Sequence, residues 1–73
     1  MLKMEQKQHF EYLANVRMPY GKYKDKKIIH VPEEYLLWLK NNTPVKGKLG
    51  EAIELIYTMK SNGIVHLLRP FEK

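Results

Sequence analysis

No cysteine occurs among the 73 residues. A disulfide, a thiolate nucleophile and a Cys-based zinc site are therefore excluded. The absence also fits a reducing, cytoplasmic setting. Glycine and proline number four each. No apolar run approaches the roughly 20 residues that span a bilayer. The opening residues 1–8 hold no apolar h-region, so no signal peptide is expected. Acid is scarce in the middle of the chain. Residues 17–48 carry eight Lys or Arg against three Asp or Glu, so the whole net charge of +5 falls there. The remaining balance, 44% apolar and 29% charged, is that of a folded domain. A chain this short makes one domain and buries roughly 60% of its unfolded surface.

The spacing of apolar residues predicts a helix over 3–15, with Phe10, Leu13 and Ala14 on one face, Met4 and Lys7 further back along it, and Asn15 as its end. Residues 16–31 read as a short β-hairpin. Val16-Arg17-Met18 leads in, Tyr20-Gly21-Lys22 turns, and Lys27-Ile28-Ile29-His30-Val31 leads out. Pro19 keeps the first strand short or on an edge. Residues 32–41 read as a helix. Pro32 suits its first turn, Glu33 and Glu34 its positive end, and Lys40 its negative end. Its centre, Tyr35-Leu36-Leu37-Trp38-Leu39, is apolar all round. Such a helix is buried on more than one side or presents a partner-binding face.

A longer helix is predicted over 48–62, with Leu49, Ala52, Ile53 and Ile56 inward and Asn62-Gly63 as its stop. Ile64–Leu68 would pack as a final turn over the core, ended by Arg69-Pro70. The expected fold is α+β: a short β-hairpin packed on about three α-helices in one small domain over 16–68, with a helix over 1–15 before it and a tail over 69–73. The predicted core is Leu13, Val16, Ile28, Ile29, Tyr35, Leu36, Leu39, Leu49, Ile53, Ile56 and Leu67.

Three blocks carry a resemblance. Met18-Pro19-Tyr20-Gly21-Lys22-Tyr23-Lys24, then Val31-Pro32 with Tyr35-Leu36 and Trp38-Leu39, then Lys46-Gly47-Lys48-Leu49-Gly50 resemble a family of small bacterial and phage proteins described as "putative quorum-sensing-regulated virulence factor". The resemblance covers about residues 16–68. The family is otherwise a domain of unknown function, and its description implies regulation or virulence without a mechanism. Tyr20 stands where Phe is usual and Asp25 where Gly is usual, at a turn position that Asp tolerates. The first two blocks also resemble a C-terminal module behind some DnaQ-like 3′–5′ exonuclease domains, which implies a role near nucleic acid.

The candidate site follows from the basic segment. Lys22, Lys24, Lys26 and Lys27 surround a turn with Tyr20 and Tyr23 among them. Lysines neutralise phosphates, and tyrosine rings stack on bases. If the segment is extended, Lys22, Lys24 and Lys26 share one side with Tyr23 opposite. Lys46 and Lys48 precede the long helix and would complete a groove between turn and helix start. The plainer alternative is a charged turn that protects an edge strand from aggregation. Tyr35 and Trp38 read more simply as core, packing the hairpin onto its helix, and Tyr23 is the stacking candidate. Gly47-Lys48-Leu49-Gly50 is not a phosphate loop, because the Gly-x-x-x-x-Gly-Lys-Ser/Thr pattern is missing. Gly50 is expected to allow close packing of the helix start.

His9, His30 and His66 lack metal-ligand spacing, and no nucleophile–base pair stands out. The expectation is a non-catalytic module with no metal or cofactor, binding single-stranded or structured nucleic acid. The alternative is a protein-interaction adaptor or regulator acting through Leu37 and Trp38. Oligomeric state is not readable from the residues.

Overall fold

The computed structural model describes the backbone over residues 4–73 and the side chains over residues 6–73. The first residue of the predicted N-terminal helix and the side chain of Met4 lie outside the described residues. Among the described residues there are three α-helices, α1 (Met4–Asn15), α2 (Glu33–Asn42) and α3 (Gly47–Ser61). Two 3₁₀ segments, Ile28–His30 and Val65–Phe71, complete the regular structure. α1 lies against both 3₁₀ segments, α2 pairs with α3, and α3 also touches both 3₁₀ segments. One core results, built from Leu13, Ala14, Met18, Ile28, Ile29, Val31, Leu36, Leu39, Ala52, Ile53, Ile56 and Leu68.

The expected α+β class is wrong, because the described residues contain no strand. The chain does reverse between residues 16 and 28, but only a single antiparallel bridge forms, Arg17 with Lys27. Met18 N–H donates to the Lys26 carbonyl at 2.9 Å and Ile28 N–H to the Val16 carbonyl at 2.9 Å. Burial explains why the second arm does not extend. Ile28, Ile29 and Val31 are all buried while His30 is exposed. A strand alternates faces and cannot bury all three against one layer of helices. A 3₁₀ turn repeats every three residues, so Ile28 and Val31 align on one side. Nor is the tip extended. Lys24 N–H bonds the Gly21 carbonyl at 3.1 Å and Lys26 N–H the Tyr23 carbonyl at 3.0 Å, two successive turns.

The same threefold period corrects the C-terminal segment. Leu67 is 55% exposed, whereas Leu68 is buried between half-buried Val65 and Phe71 at three-residue spacing. The 3₁₀ helix runs on through Pro70 to Phe71, beyond the expected stop at Arg69-Pro70. Val16, Tyr35 and Leu49 line the core as half-buried residues rather than fully buried ones.

The helices follow the sequence closely. α2 has Glu33 and Glu34 in its first turn and Lys40 in its last. α3 ends in a Schellman arrangement: Gly63 N–H donates to the Lys60 carbonyl at 3.0 Å and Ile64 N–H to that of Met59 at 2.9 Å. At Gly50 an added Cβ would lie 1.9 Å from the Val45 carbonyl oxygen, so only glycine lets the 43–46 connection fold against the start of α3.

Residues 71–73 are tied back to the rest of the chain. The Asn15 side-chain amide donates to the Phe71 carbonyl at 2.9 Å, and its oxygen accepts from Lys73 N–H at 2.7 Å. The Phe10 and Phe71 rings meet at 5.5 Å between centroids.

Candidate functional site

The reversal is anchored from inside. Met18 is fully buried, and its carbonyl accepts the Asp25 N–H at 2.8 Å. Arg17 Nη1 donates to the Asp25 carbonyl at 2.6 Å. Asp25 itself takes a φ of 70°, a left-handed position that Asp tolerates better than most residues with a β-carbon. Gly21 has a φ of 88°, and a Cβ there would come within 2.7 Å of the Tyr35 hydroxyl oxygen. Gly21 therefore lets the loop close onto the first turn of α2.

That contact begins a row of rings. Tyr23 meets Tyr35 edge-wise with centroids 4.8 Å apart, and Tyr35 stacks on Trp38 at 5.9 Å and 26°. Lys22 Nζ lies 5.6 Å from the Tyr23 centroid. Tyr23 and Tyr35 are half-buried, whereas Trp38 is 51% exposed and Tyr20 48%. Trp38 is thus not the core residue that the sequence suggested. Helical geometry supplies the reason. At about 100° per residue, Leu36 and Leu39 define the buried direction and Tyr35 and Lys40 flank it, while Leu37 and Trp38 point away. The open ring of the row is Trp38, and Tyr23 forms its inner end.

The lysines separate into two kinds. Lys22, Lys24 and Lys26 are exposed, and among the described residues none of them enters an ion pair. Lys27 is different. Its side chain is only 10% exposed, and its ammonium donates to the Glu72 carboxylate at 3.3 Å and to the Lys73 carbonyl. Glu72 also accepts from His30 Nε2 at 2.8 Å. The His30 hydrogen bond, with Lys27 beside it, holds the Glu72 carboxyl below its ordinary range. Lys27 therefore fastens the C-terminal residues to the loop. Arg17, Lys24, Asp25, Lys26, Lys27, His30 and Glu72 border one shallow depression of about 460 Å³.

Lys46 and Lys48 do not join this group through any hydrogen bond, ion pair or ring contact among the described residues. Lys46 is the exposed N-cap of α3. Lys48 sits in the first turn, where the helix dipole disfavours a cation. Its ammonium lies 4.3 Å from the Tyr12 centroid on α1, a cation–π contact that offsets that cost.

Sequence reading missed two features. One is the exposure of Trp38, hidden by the apolar residues on every side of it. The other is a second basic cavity, lined by His30, Lys60, His66 and Arg69. Its members are spread over 40 positions, and no spacing signalled that they meet. Among the described residues no three His, Asp or Glu side chains are placed to hold a metal ion. No helix among them is long and apolar enough to cross a membrane.

A small helical domain with an exposed lysine loop and an aromatic row on its second helix is the class that this geometry defines. The chain belongs to the family described as "Putative quorum-sensing-regulated virulence factor", whose model matches residues 6–71. That match begins inside α1. The chain is 43% identical over 72 residues to "Uncharacterized protein YpeB" of Escherichia coli strain K12, covering 96% of this chain and 97% of that protein. The protein of the same name from Escherichia coli O157:H7 gives the same figures. No solved structure matches the chain.

Proposed function

We propose that this domain binds single-stranded or structured nucleic acid through the 20–27 loop and the outer face of α2. Lys22, Lys24 and Lys26 take phosphates, and Trp38 and Tyr20 stack on bases. The observation that carries this reading is the row Lys22–Tyr23–Tyr35–Trp38, which runs from a cation with no ion pair among the described residues to an exposed ring. Stacking on Tyr35 fixes the Trp38 ring before any ligand arrives, so little side-chain freedom is lost on binding. Unpaired lysines beside a pre-set aromatic surface are the two components that sequence-tolerant strand binding needs.

Fluorescence anisotropy of labelled single-stranded DNA, duplex DNA and RNA, from low to physiological salt, tests the reading. Binding should weaken linearly in log salt. Lys22→Ala with Lys24→Ala should flatten that slope by about 1.4, from ~0.7 per phosphate on a single strand. Trp38→Ala should cost about 1–3 kcal/mol of affinity. Absence of binding at low salt, or an unchanged slope in the double variant, rejects the assignment.

A regulatory protein acting by protein contact is the second reading, favoured by the 41% exposure of Leu37 beside Trp38. Contiguous exposed apolar residues mark interfaces. Trp38 is the single tryptophan, so acrylamide quenching reports on this face directly. Quenching that falls as protein concentration rises, with a matching rise in mass by sedimentation, would place a second copy there.

A further inference from the structure

The basic cavity missed by sequence reading is distinct from the aromatic row. His30 comes from the first 3₁₀ segment, Lys60 from the last turn of α3, and His66 and Arg69 from the C-terminal 3₁₀ helix. With the apolar side chains of Ile29 and Val65 they line an open cavity of about 310 Å³, and among the described residues no carboxylate lines it. Among the described residues the side chains of Lys60, His66 and Arg69 make no hydrogen bond or ion pair. His30 is held on one side by Glu72. Partial burial lowers the pKa of Lys60, and Glu33 opposes that shift from outside the cavity.

We propose that this cavity binds a phosphomonoester. The group carries close to two negative charges near neutral pH and offers three acceptor oxygens. Arg69 supplies a planar fork that matches two of those oxygens, and Lys60 supplies a compact charge. His66 adds a ring N–H donor, while the Nε2–H of His30 stays with Glu72. A carboxylate, with one charge and two oxygens, would leave part of this donor set unused. The volume lies at the lower end of small-ligand sites, room for a phosphate with a sugar-sized group attached. Two sources share that chemistry, a free sugar phosphate and the terminal phosphate of a nucleic-acid strand. His30 also borders the depression that holds Lys24 and Lys26, so a strand lying on those lysines would reach the cavity with its end. The phosphate site itself does not depend on strand binding.

NMR titration of the ¹⁵N-labelled full chain, at constant ionic strength, decides the matter. The probes are inorganic phosphate, ribose 5-phosphate, and one single-stranded oligonucleotide with and without a 5′ phosphate. Saturable shifts at the amides of His30, Lys60, His66 and Arg69 are expected with ribose 5-phosphate. Arg69 is exposed, so Arg69→Gln should leave the fold intact and weaken that binding by about five-fold or more. Lys22→Ala with Lys24→Ala should leave it unchanged, which separates failure of this site from failure of the strand site. A preference of about five-fold or more for the 5′-phosphorylated oligonucleotide, lost in Arg69→Gln, identifies a strand end as the source. Saturable ribose 5-phosphate binding without that preference identifies a small phosphorylated molecule. Shifts that do not saturate with any probe, or that are equal in Arg69→Gln and Lys60→Gln, overturn the proposal.

Discussion

Lys26 and Lys27 are neighbours in the chain and opposites in the structure. Lys26 is exposed, and its ammonium meets no acid among the described residues. Lys27 is almost covered and grips Glu72 and the Lys73 carbonyl. The backbone makes the difference. Lys27 is a partner in the one antiparallel bridge and leads into the buried 3₁₀ turn, so its side chain starts close to the protein surface. Lys26 occupies the turn outside that bridge. A lysine cluster in a sequence is therefore two things at once, a fastening and a free surface, and only the path of the chain sorts them.

The comparison breaks most completely if its common support is removed. Met18→Ala takes a fully buried side chain from beneath the loop, and such truncations cost about 2–5 kcal/mol. Small domains have about 5 kcal/mol to lose at the low end. Urea denaturation should show the variant unfolded or nearly so, with both kinds of lysine lost together. A midpoint close to that of the parent would mean that the reversal is not anchored there. Gly21→Ala acts more locally. A left-handed backbone with a β-carbon costs about 1–2 kcal/mol, and the Tyr35 hydroxyl must also move. The expected result is a modest drop in the denaturation midpoint with a changed Trp38 emission, because Tyr35 carries the stack. Unaltered emission would show that the loop and the aromatic row are independent.

How far these features were legible depends on period. α2 and α3 were readable because capping charges, Pro32 and Asn62-Gly63 bound them, and because α3 keeps its 3.6-residue spacing. The close approach at Gly50 was legible as well. The reversal was not. Ile28-Ile29-His30-Val31 has strand composition, yet three of its four side chains had to face one layer of helices, and a 3₁₀ turn achieves that while a strand cannot. Leu67 and Leu68 were confused for the same reason, a period of three read without a period. In α2 all five central residues are apolar, so nothing local could say that Leu36 and Leu39 face inward and Leu37 and Trp38 outward. Of the seven candidate site residues, the loop position of Lys22, Lys24 and Lys26 was visible. The capture of Lys27 by residues 45 positions away was not, and neither was the Tyr12 ring under Lys48.

Separating the two lysines directly gives a smaller effect. Lys27→Ala should lower the melting temperature by about 4–8 °C, the equivalent of ~1 kcal/mol in a domain of this size. It should leave the salt slope of strand binding almost unchanged. Lys26→Ala should do the reverse, with stability within about 0.5 kcal/mol of the parent. Thermal melts and anisotropy on the two variants side by side make the test. If both variants shift the same observable, the division between fastening and free surface is wrong.

The smallest effect sharpens the comparison by acid. The His30 hydrogen bond and then Lys27 hold the folded-state pKa of Glu72 below its ordinary value of 4.5. The ionised carboxylate therefore favours the fold above about that pH, and the contribution fades as pH falls through the folded-state value. Glu72→Gln should melt lower than the parent near pH 6, and the two curves should converge as pH falls below the ordinary carboxyl value and the parent's Glu72 protonates. Among the described residues the lysines of the free surface form no ion pair, so Lys24→Ala should show a constant offset, or none, across the same range. A gap between Glu72→Gln and the parent that persists undiminished in acid would mean that the C-terminal residues are held by Asn15 and Phe71 alone. Lys27 would then count with its neighbours as a free charge.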